Sequence, residues 1–242
     1  MQFGALRMVE KGEERFPSAL IIVAALNEEE GIGPTLDEIH DFVEKPYCLV
    51  VDGKSTDATV DVAEARGARV ILQKGRGKGD AIATAIEYAK SIDAQYVVFV
   101  DADFTYPAEY LPNMIKVLEE NPKVGMVCGN RFDKPFELGA MKSAFYLGNR
   151  LLAFAQHLVN GIEMTDPLTG LRIVRHELLK DWKPKSKGFD VEAELNYVVE
   201  RKGYEIEEIP IHYRGRLGEK KLKLRHGFTI LRRILAESIA QD

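Results

Sequence analysis

The sequence has few cysteines, no long apolar run and no excess of basic charge, and each absence excludes a class of protein. Only two cysteines occur, Cys48 and Cys128. Both lie in apolar, strand-like runs, which predicts buried free thiols and gives no sign of an oxidising compartment. No apolar run reaches the roughly 18 residues that cross a bilayer, and no signal-peptide pattern opens the chain. The formal net charge of −5 argues against nucleic acid as a partner. We therefore expect a cytoplasmic protein, with peripheral contact to the cytoplasmic membrane face left open.

Basic residues are concentrated near the end of the chain. From Arg214 to Arg233 there are eight Lys or Arg residues and one acid, Glu219. Such a segment on an acidic protein predicts an anionic partner, either phosphate groups or a membrane surface. A predicted C-terminal helix carries an apolar stripe among these cations, formed by Phe228, Ile230, Leu231, Ile234 and Leu235. That pattern fits a helix lying on an anionic membrane, and it fits equally well a helix packed on its own core or on a second subunit.

Short apolar runs rich in β-branched residues alternate with helical patterns in the first half of the chain. We predict strands at 19–25, 47–51, 69–73, 96–100 and 124–129. Predicted helices cover 30–42, 56–66, 78–92 and 107–120. Because the strands lack polar alternation and are separated by helices, they indicate a mainly parallel sheet covered on both faces.

The pattern changes after Gly129. We predict a helix at 139–159, a strand at 171–174, a helix at 191–201, an edge strand at 204–213 and a final amphipathic helix. Since this half has too few strands for its own core, we expect it to complete the first sheet. The predicted fold is α/β, a single domain with a mainly parallel, Rossmann-like sheet flanked by helices.

Polar clusters follow three of the predicted strands. "LNEEE" follows the first, "DGKSTDAT" the second and "DADFTYP" the fourth. In open parallel sheets, ligands bind beyond the carboxyl ends of the strands, so these clusters predict one site. Asp52 can accept a hydrogen bond from a nucleotide base or ribose there. A plain strand–turn–helix connection, with Ser55 or Thr56 capping the helix, explains the second cluster about as well.

Asp101 and Asp103 end the fourth predicted strand. Residues two apart in an extended segment point the same way, so the two carboxylates can converge on one site. They repel each other unless a cation lies between them. Oxygen ligands alone favour Mg²⁺ or Mn²⁺, and magnesium typically takes one or two protein carboxylates with water and phosphate oxygens. The alternative is an acidic turn with Asp103 near a helix start.

The glycine-rich stretch "QKGRGKGDAIATAI" invites comparison with phosphate-binding loops. It fails the dinucleotide-binding pattern because Asp80 stands where the third glycine belongs. It also fails the P-loop pattern because Gly79, rather than Ser or Thr, follows Lys78. A flexible basic loop beside a nucleotide and a plain glycine-rich connection both remain possible.

Seven motifs occur here in the order found in family 2 glycosyltransferases: "VAALNEEEGI", "VVDGKSTDAT", "KGRGKGDAIATAI", "VFVDADFTYPAEYL", "GNRF", "DPLTGLR" and "HYRGRLGEKKLKL". The chain most resembles the branch that includes dolichol-phosphate mannosyltransferase, over about residues 18–235. The resemblance implies a single GT-A domain over 1–242, with a nucleotide-sugar and metal half at 18–130 and an acceptor half at 131–242. It also implies inverting, metal-dependent transfer of a hexose to polyprenyl or dolichyl phosphate.

The donor that the resemblance implies is GDP-mannose. UDP-glucose as donor, or a soluble acceptor such as a phosphorylated small acid, is the alternative. The sequence departs from the family pattern at Ala24, where proline is common, and at Lys54, where serine is usual. It departs again at Glu219 and Lys220, where Gly-Ser is commoner, and these departures leave the donor undecided.

Site residues carried over from the resemblance fall into four groups. Those expected at the nucleotide sugar are Ala25, Asn27, Glu28, Asp52, Asp80, Asp101, Ala102, Arg214, Arg216 and Lys221. Asp101 and Asp103 would bind the metal, Arg131 and Arg172 the acceptor, and Asp103, Arg131 and Glu192 would be catalytic. Arg214, Arg216 and Lys221 would lie on a mobile loop that closes over the phosphates.

The acceptor decides whether a base is needed. A lipid phosphate is already anionic, whereas a hydroxyl acceptor must lose its proton to a carboxylate. Asp190, Glu192 and Glu194 in "GFDVEAELN" are the candidates, and a solvated helix face is the alternative explanation for all three.

Two other classes of protein are less consistent with the motifs. Nucleotidyltransferases have a glycine-rich Gly-Gly-x-Gly-Thr-Arg loop after the first strand, and "ALNEEEG" lacks it. A non-catalytic sugar-nucleotide sensor or regulatory subunit would not need the paired Asp101 and Asp103. A homodimer or a membrane-anchoring partner subunit is compatible with the sequence.

Overall fold

The computed structural model describes residues 19–132 and 144–239, and their strands form one seven-stranded sheet. The strands are β1 (Ala19–Ala25), β2 (Tyr47–Asp52), β3 (Arg69–Leu72), β4 (Tyr96–Asp101), β5 (Val124–Asn130), β6 (Arg172–Arg175) and β7 (Glu205–Pro210). The α-helices in the described residues are α1 (Glu29–Phe42), α2 (Thr59–Glu64), α3 (Lys78–Ala89), α4 (Leu111–Glu120), α5 (Ala144–Asn160), α6 (Val191–Arg201) and α7 (His226–Ile239).

The strand order is β3-β2-β1-β4-β6-β5-β7. β1 pairs in parallel with β2 and β4, β2 with β3, and β5 with β7, while β6 runs antiparallel to both of its neighbours. The predicted mainly parallel sheet is therefore confirmed. The strands of the second half complete it, and β7 lies at the edge as expected.

Alternate side chains of the central strands enter two separate cores, one on each face of the sheet. Ile21 and Val23 of β1 pack with residues of α1 and α4, whereas Leu20 and Ile22 pack with residues of α3 and α6. This double burial explains the absence of polar alternation in the sequence. Cys48 and Cys128 are free and buried, and burial raises the pKa of both thiols to about 12.

Two predicted helix starts are wrong. α2 begins at Thr59 rather than Thr56, because the residues before it connect the second polar cluster to the first: Thr56 donates its backbone N–H to Asn27 Oδ1 over 2.8 Å. α4 begins at Leu111, after a 3₁₀ turn at Ala108–Tyr110, and Pro112 rather than Pro107 lies in its first turn. α5 matches its prediction from Ala144 onward, and residues 139–143 of that prediction lie outside the described residues.

No helix in the described part of the chain combines the length and the apolar composition needed to cross a membrane.

Gly31 brings α1 against the end of β4. A Cβ atom at this position would lie 2.6 Å from the carbonyl oxygen of Ala102 and 2.7 Å from the Cα of Asp103. Both contacts are backbone atoms that cannot rotate away. Only glycine therefore lets α1 approach the segment that carries Asp101 and Asp103.

We expect Gly31→Ala to destabilise the protein by about 1–3 kcal/mol, because overpacking against backbone outweighs the gain in helix propensity. Gly148→Ala in α5 is the matched control, since nothing lies within 4 Å of a Cβ there. That variant should be neutral or more stable, by up to about 1 kcal/mol. Urea unfolding of the three proteins measures both values, and equal stabilities of the two variants would contradict the close approach at Gly31.

Candidate active site

The loops that follow β1, β2 and β4 meet at the carboxyl edge of the sheet. Asn27 ties the first loop to the second: its backbone N–H donates to Ser55 Oγ over 2.8 Å, and its Oδ1 accepts from the Thr56 N–H. The backbone N–H of Glu28 donates to Thr59 Oγ1 over 2.8 Å. The predicted meeting of the polar clusters is therefore observed, and Asn27 holds them together.

Backbone strain is concentrated in the same three loops. Among the described residues, four that are not glycine have positive φ, and three of them are Asn27 (50°), Lys54 (70°) and Phe104 (64°). Each lies shortly after β1, β2 or β4. Strained conformations of this kind persist where surrounding structure enforces them, and they cluster at binding and catalytic sites.

Four carboxylates gather at this edge, those of Glu28, Asp101, Asp103 and Glu192, and we call them the acidic cluster. Three are at most 6% exposed, and the side chain of Asp101 is 30% exposed. They come from the loop after β1, the end of β4 and the start of α6. The fold thus collects like charges that are distant in sequence, and cations must balance them.

Lys78, the first residue of α3, joins two members of the cluster. Its ammonium lies 2.6 Å from Asp101 Oδ1 and 2.7 Å from Glu192 Oε1. Burial alone would favour the neutral amine, but these two carboxylates raise the pKa of Lys78 above its usual value. Lys78 therefore stays charged and fixes the position of Asp101 relative to Glu192.

Cations from the loop between β7 and α7 contact the other two carboxylates. The guanidinium of Arg216 bridges Glu28 and Asp103, and the ammonium of Lys221 lies 2.6 Å from Glu28 Oε1. The guanidinium of Arg214 pairs with Glu38 over 2.5 Å. This loop, expected from the sequence to close over the phosphates, is thus anchored across the site by carboxylates.

The two aspartates differ in proton affinity. Burial raises the pKa of Asp103, and the neighbouring charge of Asp101 raises it further. Burial acts in the same direction on Asp101, but the ammonium of Lys78 outweighs it and lowers the pKa of Asp101 below its usual value. Burial also raises the pKa of Glu28, against the effects of Lys221 and Arg216. The nearby cations therefore do not fully offset the repulsion between the carboxylates of Asp101 and Asp103.

A first cavity of about 450 Å³ lies beside the acidic cluster, over the ends of β1 and β2. Its walls include Ala25, Gln73 and Phe189, with four cations: Lys54, Arg76, Lys78 and Lys221. Lys78 and Lys221 lie between this cavity and the acidic cluster, since each lines the cavity and contacts a carboxylate. The cavity thus combines apolar wall residues with cations that can meet an anion.

Of the ten residues expected at the nucleotide sugar, Ala25 and Lys221 line this cavity and eight do not. Three of the eight, Asp52, Asp80 and Ala102, are held within the fold. Asp52 is 1% exposed, and its carboxylate accepts from the backbone N–H of Lys54 and Ser55. Asp80 accepts from the Arg76 N–H over 2.7 Å, and Ala102 is 2% exposed in the core. Asp52 and Asp80 instead shape the two loops whose residues form the cavity wall.

A second cavity, of about 290 Å³, lies between the starts of α5 and α7. Its walls are largely apolar, with Phe132, Phe145, Leu152, Leu168, Leu222, Leu224 and Ile230. Arg131 and Tyr213 also line it. Its wall therefore suits an apolar group better than a small polar one.

Arg131 lies at this cavity but is held by Asp166. Its Nε and Nη2 donate to the two carboxylate oxygens of Asp166 over 2.7 and 2.6 Å, and its backbone N–H adds a third bond. Asp166 is fully buried. The bidentate pair neutralises Arg131, so its net charge is not available to an anion unless the pair opens.

Lys220 supplies a cation to the second cavity without such a pair. Its ammonium lies 3.3 Å from the centre of the Phe145 ring, and no carboxylate of the described residues pairs with it. Burial lowers the pKa of Lys220, and the charges of Arg131 and Arg216 lower it further. Lys220 therefore faces a region of positive potential between the second cavity and the acidic cluster.

Arg172 does not reach either cavity wall of this site. It is 2% exposed, and its guanidinium donates to the carbonyls of Thr169 and Pro167 over 2.8 and 2.6 Å and to Asn196 Oδ1 over 2.5 Å. All these partners are part of the fold. Arg172 thus positions the loop before β6, and its assignment to the acceptor stays a prediction.

The acids at the start of α6 are buried, so the solvated helix face considered for them is wrong. Asp190, Glu192 and Glu194 are 4%, 6% and 3% exposed. Glu194 accepts from the backbone N–H of Ser186 over 2.7 Å and from the indole N–H of Trp182 over 3.1 Å, and is thereby structural. Glu192 alone of the three belongs to the acidic cluster.

Sequence reasoning missed three residues of the site: Lys78, Asp166 and Lys220. Lys78 lies in the glycine-rich stretch and Asp166 lies in "DPLTG". Both stretches are motifs in the sequence, but the motifs assign no role to these two side chains. Lys220 was visible only as a departure from a family pattern. Nothing in the sequence shows which carboxylate each cation meets.

Comparison with known proteins identifies the family. The model of the family described as "Glycosyl transferase family 2" matches residues 20–183, which is more than half of the chain. The chain belongs to glycosyl transferase family 2. It is therefore a glycosyltransferase, and its sheet is that of the GT-A fold.

Two relatives from Haloferax volcanii are among the similar proteins. A dolichyl-phosphate hexose transferase is 35% identical over 213 residues, covering 87% of this chain and 89% of the relative. Glycosyltransferase AglJ is 34% identical over 195 residues, covering 80% of this chain, and the match spans 62% of that relative's length.

A solved structure shows the same fold. Glucosyl-3-phosphoglycerate synthase from Mycobacterium tuberculosis, in complex with Mn²⁺, UDP-glucose and glycerol 3-phosphate, superposes with a TM-score of 0.72. Its sequence identity is 24%, and the match covers 93% of this chain and 79% of that one. The likeness establishes the architecture of this glycosyltransferase.

We expect Arg172→Lys to lower the free energy of unfolding by about 2–4 kcal/mol, because the buried forked hydrogen bonds are lost. The KM for acceptor should stay within about twofold of wild type. Arg69→Lys, at an exposed position on β3, is the control and should change neither value. A raised acceptor KM with unchanged stability would return Arg172 to the acceptor site.

Proposed function

We propose that this glycosyltransferase moves a hexose from a nucleotide sugar to a polyprenyl phosphate, with a divalent cation at Asp101 and Asp103. One observation carries the proposal: the acidic cluster adjoins two unlike cavities. The first has four cations in its wall, which suits a diphosphate. The second has apolar walls and the cation Lys220, which pairs with no carboxylate of the described residues, and this suits an apolar molecule with an anionic end.

The apolar second cavity favours a lipid phosphate over a small phosphorylated acid. A small acid would expose the walls formed by Phe145, Leu152 and Leu222 to water, whereas an isoprenoid would cover them. The similarity to a dolichyl-phosphate hexose transferase supports the same choice. The solved structure in complex with UDP-glucose and glycerol 3-phosphate supports the alternative, UDP-glucose as donor and a small phosphorylated acceptor. The experiment therefore tests both GDP-mannose and UDP-glucose.

The residues present fit a divalent cation. Within the described residues no three His, Cys, Asp or Glu side chains form a metal-binding group. Mg²⁺ commonly uses only one or two protein carboxylates and takes its other ligands from water and phosphate. The cluster offers oxygen atoms alone, and Glu28 Oε2 and Glu192 Oε2 are buried without a hydrogen-bond partner. Asp101 and Asp103 would hold the cation, which would neutralise charge on the donor diphosphate.

The proposed reaction needs little proton transfer. An acceptor phosphate oxygen forms the new bond to the anomeric carbon while the bond to the donor diphosphate breaks. The electron pair leaves with the nucleoside diphosphate, and attack from the opposite face inverts the carbon. Arg216, Lys221 and Lys78 would stabilise the charge on the leaving group. Glu192 would serve as base only for a hydroxyl acceptor.

Several assignments remain within this proposal. Asn27, Glu28 and Ala25 border the donor, and Arg214 steadies the loop that carries Arg216. Asp52 and Asp80 act through the loops they shape. A lipid acceptor requires contact with a membrane, so a peripheral place on its cytoplasmic face belongs to the proposal. A homodimer or an anchoring subunit would be compatible with it.

A transfer assay tests the function directly. Radiolabelled GDP-mannose and UDP-glucose are each incubated with polyprenyl phosphate in detergent or with 3-phosphoglycerate, in the presence of Mg²⁺ or Mn²⁺, with and without chelator. We expect chelator-sensitive label in the organic phase from one donor. No lipid product with either donor, together with label on 3-phosphoglycerate, would overturn the lipid acceptor and leave the family assignment intact.

We expect Asp103→Asn to lower metal-dependent transfer at least about 100-fold, because one ligand charge is lost where the diphosphate leaves. Asp93→Asn, an exposed position before the other end of β4, is the matched control and should keep wild-type activity. Circular dichroism verifies folding, and Mn²⁺ titration in the presence of nucleoside diphosphate reports binding. A folded, fully active Asp103→Asn enzyme would falsify the metal assignment.

We expect Lys220→Gln to raise the KM for a short-chain prenyl phosphate by about 10-fold or more, as a charge-assisted hydrogen bond is lost. The KM for the donor should be unchanged, and Lys220→Arg should recover most of the acceptor affinity. Lys116→Gln on the exposed surface of α4 is the control. An unchanged acceptor KM in Lys220→Gln would leave the acceptor phosphate to Arg131.

A further inference from the structure

Exposed large apolar side chains are concentrated on two adjacent helices. Of eleven such residues in the described chain, eight belong to α5, to α7 or to the residue two before α7. They are Leu147, Leu151, Phe154 and Leu158 on α5, and Leu224, Phe228, Leu235 and Ile239 on or beside α7. Their exposed fractions run from 45% for Leu235 to 81% for Phe228. We call this surface the two-helix face.

The exposed residues of α5 form one narrow stripe. Their spacing of four, three and four residues places them within about 60° of one another around the helix. The buried residues Leu152, Gln156 and Asn160 lie on the other side. The apolar stripe of α5 therefore lies on the side away from its buried residues, and the described part of the chain leaves it uncovered.

α7 divides its apolar residues in the same way. Ile230 and Ile234 are buried and pack with Leu152 of α5 and Ala193 of α6. Phe228, Leu235 and Ile239 point away from that contact and stay exposed. The stripe predicted from the sequence thus serves the protein's own core in part, and its remainder lacks a partner among the described residues.

The exposed charges on α5 and on or just before α7 are basic, while Glu163 and Glu208 share a cavity with Arg150 and Phe154 at one side of the face. α5 contains Arg150 and no acid. Lys223, Arg225 and Arg232 are exposed on or just before α7. These cations stand out on a protein of net charge −5. Apolar side chains rimmed by Lys and Arg match a bilayer with anionic headgroups, since the former enter the acyl boundary and the latter meet phosphate.

The same charges disfavour a second copy of the chain on this face. Two copies related by a twofold axis would place one set of Arg and Lys residues against an identical set. Like charges brought together in this way oppose association. An anionic lipid surface has no such penalty.

The two-helix face is continuous with the second cavity. Leu224 is 57% exposed on the face and also lines the cavity, together with Gly148 of α5 and Gly227 of α7. The apolar surface therefore leads between the two helices toward Lys220 and the acidic cluster. A lipid that entered from a bilayer on this face would reach the site without crossing water.

We infer that α5 and α7 together dock on an anionic lipid bilayer, with the mouth of the second cavity facing the membrane. This inference deepens the proposed function, on which the role of the cavity rests, while docking itself requires no transfer. The two helices enter only the interfacial layer, and Leu151, Phe154 and Phe228, each more than 60% exposed, are among the side chains that enter it.

Vesicle cosedimentation tests the inference without any substrate. Wild-type protein is mixed with vesicles of phosphatidylcholine, or of phosphatidylcholine with phosphatidylglycerol, at low and high salt. We expect binding to the anionic vesicles that weakens with salt. The double variant Leu151→Glu/Phe228→Glu should lose at least about 10-fold in affinity, since neither side chain can enter the acyl boundary.

The matched control is Leu72→Glu, which places the same charge on β3 at the far edge of the sheet. Leu72 is 62% exposed, as much as Leu151 at 63%. We expect this variant to bind vesicles like wild type. Equal losses in the control and the double variant, or no binding by folded wild-type protein, would overturn the inference. So would a concentration-dependent dimer that the double variant abolishes in sedimentation velocity.

Transfer to detergent-solubilised acceptor separates this inference from the proposed function. Neither Leu151 nor Phe228 lines the second cavity, so the double variant should keep wild-type transfer in detergent. Its transfer to acceptor embedded in anionic vesicles should fall with its binding. Transfer in detergent without vesicle binding overturns only the docking face. Vesicle binding without transfer to any prenyl phosphate overturns only the function.

Discussion

The repulsion between Asp101 and Asp103 is the constraint around which the site is arranged. A buried strand ends in these two carboxylates, and Glu28 and Glu192 add two more. Cations from α3 and from the loop before α7 offset this charge, and Arg216 bridges Glu28 and Asp103. Segments far apart in sequence therefore meet at the end of β4, because they supply the cations that balance the negative charge there. The close approach of α1 through Gly31 brings Glu28 into the same cluster.

The arrangement prepares the site for an anionic donor. Arg214, Arg216 and Lys221 of the loop each contact a carboxylate, so the loop is ordered before a ligand arrives. A divalent cation held by Asp101 and Asp103 would compete with Arg216 for Asp103. The displaced guanidinium would then be free to meet phosphate oxygens. Exchanging one set of charge pairs for another costs less free energy than ordering a disordered loop. The site is in this sense preorganised for the donor.

The sequence predicts the sheet better than the side-chain contacts. Strands β1, β2 and β4 are predicted from short apolar runs that lack helical spacing. The polar clusters that follow these strands predict where the site lies. The start of α4 was misplaced because Pro107 and Pro112 both suit a first turn, and only packing decides between them. Arg172 was assigned to the acceptor from the family resemblance. Its burial depends on carbonyls of Thr169 and Pro167 that no local pattern reveals.

α5 and α7 each have apolar residues on an inner and on an outer side. Their inner sides must bury Leu152, Ile230 and Ile234 to close the second half of the fold, while their outer sides leave a large apolar surface in water. A surface of this kind promotes aggregation in a protein that remains in solution, so its presence indicates a partner. The second cavity lies between the same two helices. Covering the outer surface with lipid would therefore remove it from water and place the acceptor beside Lys220.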